Sequence, residues 1–106
     1  MENVTEKEWT KLISADEDAV IIDARTQKEW TEGVLENAVL MDVMQPMQFE
    51  QDAKKLDKNK NYYVYCRSGQ RSIRACSLIE ASGIGKTYNL LGGILGWTGK
   101  TVLPSL

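Results

Sequence analysis

Tyr62-Tyr63-Val64-Tyr65-Cys66-Arg67-Ser68-Gly69-Gln70-Arg71-Ser72 begins as an apolar run, reaches a cysteine and passes into a small basic loop that contains a glycine. Beyond Ser72 the residues Ile73, Cys76 and Ile79, with Ala75 and Leu78 beside them, recur at helical spacing until Ser82-Gly83. The stretch predicts a buried strand, a loop, and a helix beginning near Arg71. Cys66 falls where the strand ends and the helix is about to start. The first N–H groups of a helix have no partner within it, and the helix dipole adds positive charge there. Such a junction favours an anion, and a thiolate is one.

Charge follows the same division. Residues 1–57 hold 14 acids against 6 bases, whereas residues 58–106 hold 1 acid against 7 bases. No carboxylate occurs between Asp57 and Glu80, while Lys58, Lys60, Arg67, Arg71 and Arg74 all do. This field favours a small anionic ligand and a thiolate over a thiol. Gly69 suits a tight curl in which successive backbone N–H groups of the loop face one centre. The planar fork of Arg71 is expected to close that ring on a tetrahedral oxyanion. Ser72 is expected either to cap the helix or to hydrogen-bond the sulfur. Cys66 is therefore read as a nucleophile of depressed pKa, and Cys76, on the inner stripe of the helix, as core.

Further out, Thr5-Glu6-Lys7-Glu8 has capping-box spacing ahead of Trp9, Leu12 and Ile13, which predicts a first helix. Ala19-Val20-Ile21-Ile22 reads as a strand covered on both faces, ending in Asp23-Ala24-Arg25. Asp23 and Arg25 are expected to form an ion pair or to hold loop backbone beneath the site. A second capping box, Thr26-Gln27-Lys28-Glu29, opens a helix of about two turns with Gly33 as its C-cap. Val34-Leu35-Glu36-Asn37 is a connection and Ala38-Val39-Leu40-Met41 a short buried strand. Pro46 opens an amphipathic helix with Met47, Phe49, Ala53 and Leu56 on one face, and Met41, Met44 and Met47 are read as packing. Lys86–Leu91 is the last strand. Gly92-Gly93 is a turn passing close to the cysteine loop, Ile94, Leu95 and Trp97 form a short helical turn, and Thr101–Pro104 is a closing tail. Alternating strands and helices of this kind predict an α/β fold, a small, mostly parallel sheet flanked by helices, with the site on loops at the carboxyl ends of the strands.

The totals bound the possibilities. A chain of 106 residues with 42% hydrophobic content is the size of one domain, expected to span 1–106. Met1–Lys7 is polar and acidic, without the basic start and apolar run of a secretory signal, and a soluble, cytoplasmic protein with no membrane partner is expected. With no histidine, the chain offers no Cys–His pair, Ser-His-Asp triad or histidine metal site. Two cysteines without histidine make a poor zinc site, so no metal and no cofactor are expected. Basic residues are too few and too little interleaved with aromatics to argue for nucleic acid.

Tyr65-Cys66-Arg67-Ser68-Gly69-Gln70-Arg71-Ser72 resembles the active-site loop of the rhodanese (thiosulfate sulfurtransferase) family in its single-domain form. Ile22-Asp23-Ala24-Arg25 with Glu29-Trp30 and Gly33 resembles the family's first signature. Leu91-Gly92-Gly93-Ile94 with Gly96-Trp97 and Pro104 resembles its last. The resemblance implies that Cys66 takes the outer sulfur of thiosulfate or of a protein persulfide, releases the remainder, and carries the sulfur as a persulfide. The persulfide would lie among the N–H groups from Arg67 to Ser72 before passing to cyanide or a thiol. Val34-Leu35-Glu36-Asn37 departs from the family's usual turn after the glycine, which bears on loop geometry. Related cysteine phosphatases and arsenate reductases place five residues between Cys and Arg, against four between Cys66 and Arg71 here, and the narrower ring argues against those activities. The competing reading is a non-catalytic rhodanese-like module that binds or regulates a partner.

Overall fold

The structure, a computed structural model, describes residues 1–104. In chain order its elements are β1 (Glu2–Val4), α1 (Glu6–Ser14), β2 (Val20–Asp23), α2 (Gln27–Trp30), β3 (Val34–Leu35), β4 (Val39–Leu40), α3 (Pro46–Lys54), β5 (Tyr62–Tyr65), α4 (Arg71–Ala81), β6 (Thr87–Leu90), a 3-10 turn (Ile94–Gly96) and β7 (Thr101–Val102). Strands β1, β6, β5, β2 and β4 lie side by side in that order in one five-stranded sheet, and every pairing in it is parallel. β3 pairs antiparallel with β7 apart from that sheet. The α/β fold expected from the alternation of elements is the one observed.

β5 occupies the centre because all four of its residues are buried. Side chains alternate across a strand. Tyr62 and Val64 accordingly join Phe49, Ala53, Ala75, Cys76 and Ile79 from α3 and α4 on one face. Tyr63 and Tyr65 join Trp9, Tyr88 and Leu90 on the other. There the Trp9 ring meets Tyr63 edge-on at 5.8 Å between centroids, and Tyr63 stacks on Tyr88 at 4.9 Å. An apolar run buried on both faces is what a central parallel strand requires.

Both capping boxes form: Thr5 Oγ1 accepts from the Glu8 N–H while Glu8 accepts from the Thr5 N–H, and Thr26 and Glu29 do the same. Several expectations are corrected. α2 is a single turn whose C-cap is Thr31, and Gly33, at φ +121°, lies beyond it. Met44 and Met47 are exposed, at 63% and 78%, and only Met41 packs. Met47 and Phe49 are two positions apart and cannot share a helical face. On α4 the buried stripe runs through Ser72, Ala75, Cys76 and Ile79, leaving Ile73 exposed. The Val34–Asn37 connection contains β3, the tail contains β7, and the polar start contains β1. No helix among the described residues is long and apolar enough to cross a membrane.

Candidate active site

The carboxyl ends of β2, β5 and β6 deliver the parts of the site. Register sets Asp23 of β2 beside Tyr65 of β5, one residue before Cys66. Asp23 is fully buried and accepts from the Arg25 backbone N–H (2.9 Å), from Arg25 Nη2 (2.8 Å) and from the Tyr65 hydroxyl (2.5 Å). Arg25 also donates to the Gly33 carbonyl at 2.7 Å, and the Tyr65 hydroxyl accepts from the Leu35 N–H at 3.0 Å. Asp23 and Arg25 thus form an ion pair and also hold loop backbone. Burial, with Asp23 reinforcing it, pushes the Tyr65 hydroxyl well above its ordinary range, so it remains a donor. Removing Asp23 would strand Arg25, which is only 4% exposed. Asp23→Ala is expected to lose about 3–5 kcal/mol of stability, read as an earlier urea midpoint.

Cys66 and the residues after it form the curl. The Cys66 and Arg67 carbonyls accept from the N–H groups of Ile94 (3.0 Å) and Leu95 (3.1 Å) in the 3-10 turn. In a trans peptide the N–H points opposite the carbonyl, so these bonds turn the Ser68 N–H away from the 3-10 turn and toward the sulfur. The Gly69 N–H donates to Cys66 Sγ at 3.1 Å, and Ser72 Oγ lies 3.3 Å from it. Gly69 sits at φ +96°, and a Cβ there would lie 3.3 Å from the Leu90 carbonyl oxygen. Burial pushes the Cys66 thiol up. The Ser72 hydroxyl and the N–H groups of Ser72, Gly69 and Ser68 outweigh that, and the net shift is below the ordinary thiol value. Cys66 itself is 1% exposed, while Arg67, Ser68 and Gln70 are exposed.

Two sequence expectations for the loop change. Ser72 is not the N-cap of α4, a position Gln70 fills without a side-chain bond, and its hydroxyl goes to the sulfur and to Asn89 instead. Arg71 does not turn its fork edge-on into the ring: Nη1 and Nη2 each donate to a Glu29 carboxylate oxygen at 2.8 Å. Arg71 beside it, opposed by burial and helped by Thr26, holds the Glu29 carboxyl down at about 2. Arg71 and the Cys66 thiolate still favour each other's charged forms across space. Beside the loop a cleft of about 670 Å³ is lined by Arg67, Lys28, Glu29, Glu32 and Leu95 among others.

Two side chains here escape a reading of the sequence. Spacing gives Glu29 only its capping box, yet one of its oxygens serves both the cap and Arg71. Asn89 sits inside β6 with no motif around it, and an amide flanked by Tyr88 and Leu90 is the one available signal. Among the described residues no cluster of potential metal ligands exists.

A family model described as Rhodanese-like domain matches residues 6–100. The chain belongs to the rhodanese-like family. It is 38% identical over 92 residues to the putative sulfurtransferase YtwF of Bacillus subtilis, covering 84% of this chain and 82% of that one. A sulfurtransferase of Allochromatium vinosum is 33% identical over 82 residues, covering 76% and 73%. Rhodanese-like sequence also recurs within longer proteins: a tRNA uridine(34) hydroxylase of Pelagibacter ubique is 33% identical over 95 residues, covering 90% of this chain but 31% of that protein. The solved structure of a rhodanese-like domain protein from Staphylococcus aureus superposes with a TM-score of 0.83 at 27% identity, covering 99% of this chain and 100% of that one. In this rhodanese-like chain the curl that follows β5 is thus built on the positive φ of Gly69 and on the two carbonyls held by the 3-10 turn.

Proposed function

We propose that the chain is a sulfurtransferase that carries a sulfane sulfur as a persulfide on Cys66. The observation that carries this reading is the convergence of the Gly69 N–H and the Ser72 hydroxyl on Cys66 Sγ, which holds the thiol below its ordinary value without an imidazole. The thiolate attacks the outer sulfur of the donor. An S–S bond forms at Cys66 while the donor's S–S bond breaks, and the electron pair leaves with sulfite or with the donor thiolate. An acceptor thiolate or cyanide then attacks the outer sulfur and returns Cys66 as thiolate, so the cycle is redox-neutral. The N–H groups from Arg67 to Ser72 solvate the charge at each stage.

A persulfide donor is favoured over thiosulfate by the Glu29–Arg71 pair. Glu29 offsets the Arg71 guanidinium, which would otherwise help to meet the dianion thiosulfate, whereas the S–S group of a thiol persulfide carries at most one charge. The cleft beside Arg67 leaves room for a thiol acceptor larger than cyanide.

Intact mass spectrometry without reductant tests both steps. Protein mixed with thiosulfate, or with glutathione persulfide, is expected to gain one sulfur atom and to lose it on adding cyanide, with faster loading from the persulfide. Absence of gain with either donor would instead favour a binding module. Acid should slow loading, because protonating a nucleophile of lowered pKa removes its reactive form. The alkylation rate of Cys66 is expected to fall to half at a pH below about 8.5, the ordinary thiol value. A midpoint at or above that value would remove the basis for the assignment.

A further inference from the structure

We propose that Asn89 is a positioning residue for Cys66, competing with the sulfur for the single proton of the Ser72 hydroxyl while holding Gly69 against it. The inference rests on the reading of Cys66 as the nucleophile. Asn89 lies in β6, is fully buried, and uses both ends of its amide. Nδ2 donates to the Gly69 carbonyl at 3.2 Å and to Asn3 Oδ1 of β1 at 3.0 Å. A backbone carbonyl only accepts, so the Gly69 bond fixes which end of the amide is nitrogen. Oδ1 must then be the end that faces Ser72, and the short Ser72–Asn89 bond has the hydroxyl as its donor.

A hydroxyl has one proton to give. While Ser72 gives it to Asn89, its Oγ meets Cys66 Sγ only as an acceptor, and the pair is satisfied by the thiol proton pointing from sulfur to oxygen. When that proton leaves to water, the Ser72 proton must swing from Asn89 Oδ1 to the sulfur, and the amide oxygen loses its donor. Asn89 therefore opposes ionisation through Ser72. Through Gly69 it acts the other way, because that residue is gripped by its carbonyl while its N–H is aimed at Sγ. The titratable groups felt near the sulfur are Arg71 of α4, with Glu29 and Asp42 around it, and Cys76 further along α4. Substituting Asn89 or Ser72 alters none of them.

Two substitutions separate the arms. Asn89→Asp keeps and strengthens the competing acceptor but loses the donor to Gly69 and adds a charge. Asn89→Leu removes both acceptor and donor at similar volume. The readout is the pH midpoint of iodoacetamide alkylation at Cys66, followed by peptide mass, for each substitution in the native background and in Ser72→Ala. Asn89→Asp should raise the midpoint, and raise it less once Ser72 is gone. Asn89→Leu should shift it further upward in Ser72→Ala than in the native background, since only the Gly69 arm then remains. Each coupling is expected to be about half to one pH unit, with opposite signs for the two substitutions. Each substitution is a test by itself, so misfolding of one, seen by circular dichroism, leaves the other decisive. Additive midpoints, or a coupling of the wrong sign, would overturn the proposal. Alkylation requires no sulfur donor. A native protein that fails to load sulfur would count against the sulfurtransferase reading and leave these couplings measurable.

Discussion

Cys66→Ala is expected to keep its unloaded mass in the presence of thiosulfate or glutathione persulfide, under conditions in which the native chain gains one sulfur. The other thiol, Cys76, cannot stand in. It is fully buried against the core of α3, α4 and β5, and burial pushes it up to about 11. At neutral pH a thiol of that pKa is ionised to roughly one part in 10⁴, before its lack of access is counted. Loading should therefore fall by at least about 10³-fold, to the limit of detection. The fold should survive, because the substitution removes only one sulfur atom from a small side chain. Sulfur appearing on the Cys66→Ala variant at anything near the native rate would transfer the nucleophile's role to Cys76 and refute the site as described.

Gly93→Ala should damage both stability and sulfur loading although it lies outside the loop. Gly93 has φ +56° and ψ −156°, a conformation closed to residues with a side chain. A Cβ there would sit 2.4 Å from the Arg67 carbonyl oxygen and 2.6 Å from that of Cys66. Both obstacles are backbone, so neither can rotate aside. The methyl would push apart the two carbonyls that Ile94 and Leu95 hold, and with them the Ser68 N–H that faces the sulfur. A stability loss of about 2–4 kcal/mol is expected from backbone strain and overpacking together, and the folded fraction should load sulfur poorly. Gly92→Ala is the internal comparison. Its φ is +79°, but a Cβ there meets nothing within 4 Å, so only the backbone term of about 1 kcal/mol remains. Equal urea midpoints for the two variants would mean that contact between the Gly93 turn and the loop carries no energy.

Much of this architecture is legible in the sequence because its determinants are local. The all-buried strand Tyr62–Tyr65, the two capping boxes, Pro46 at the head of α3 and the cysteine at a strand-to-helix junction each depend on residues a few positions apart. The strands that escape such a reading lack that kind of signal. β1 buries only Val4, with Glu2 and Asn3 exposed. β3 and β7 are two residues each, too short for any period to show. Each becomes a strand only through its neighbour, β6 for β1 and one another for β3 and β7.

The site divides in the same way. From its order of residues alone the chain offered Cys66 as the candidate nucleophile, the helix start that favours its charge, the glycine that permits the curl, and Asp23 and Arg25 as an ion pair or a support for loop backbone. Tertiary structure decided what the polar groups do with one another. It set Glu29 on Arg71 across 42 positions, and Asn89 on Gly69 and Ser72 across 20 and 17. Propensity and spacing act between neighbours along the chain, whereas a hydrogen bond is satisfied by whatever partner folding brings within about 3 Å. In a site that works by N–H and hydroxyl donors, that choice of partner sets how much of each donor the sulfur receives.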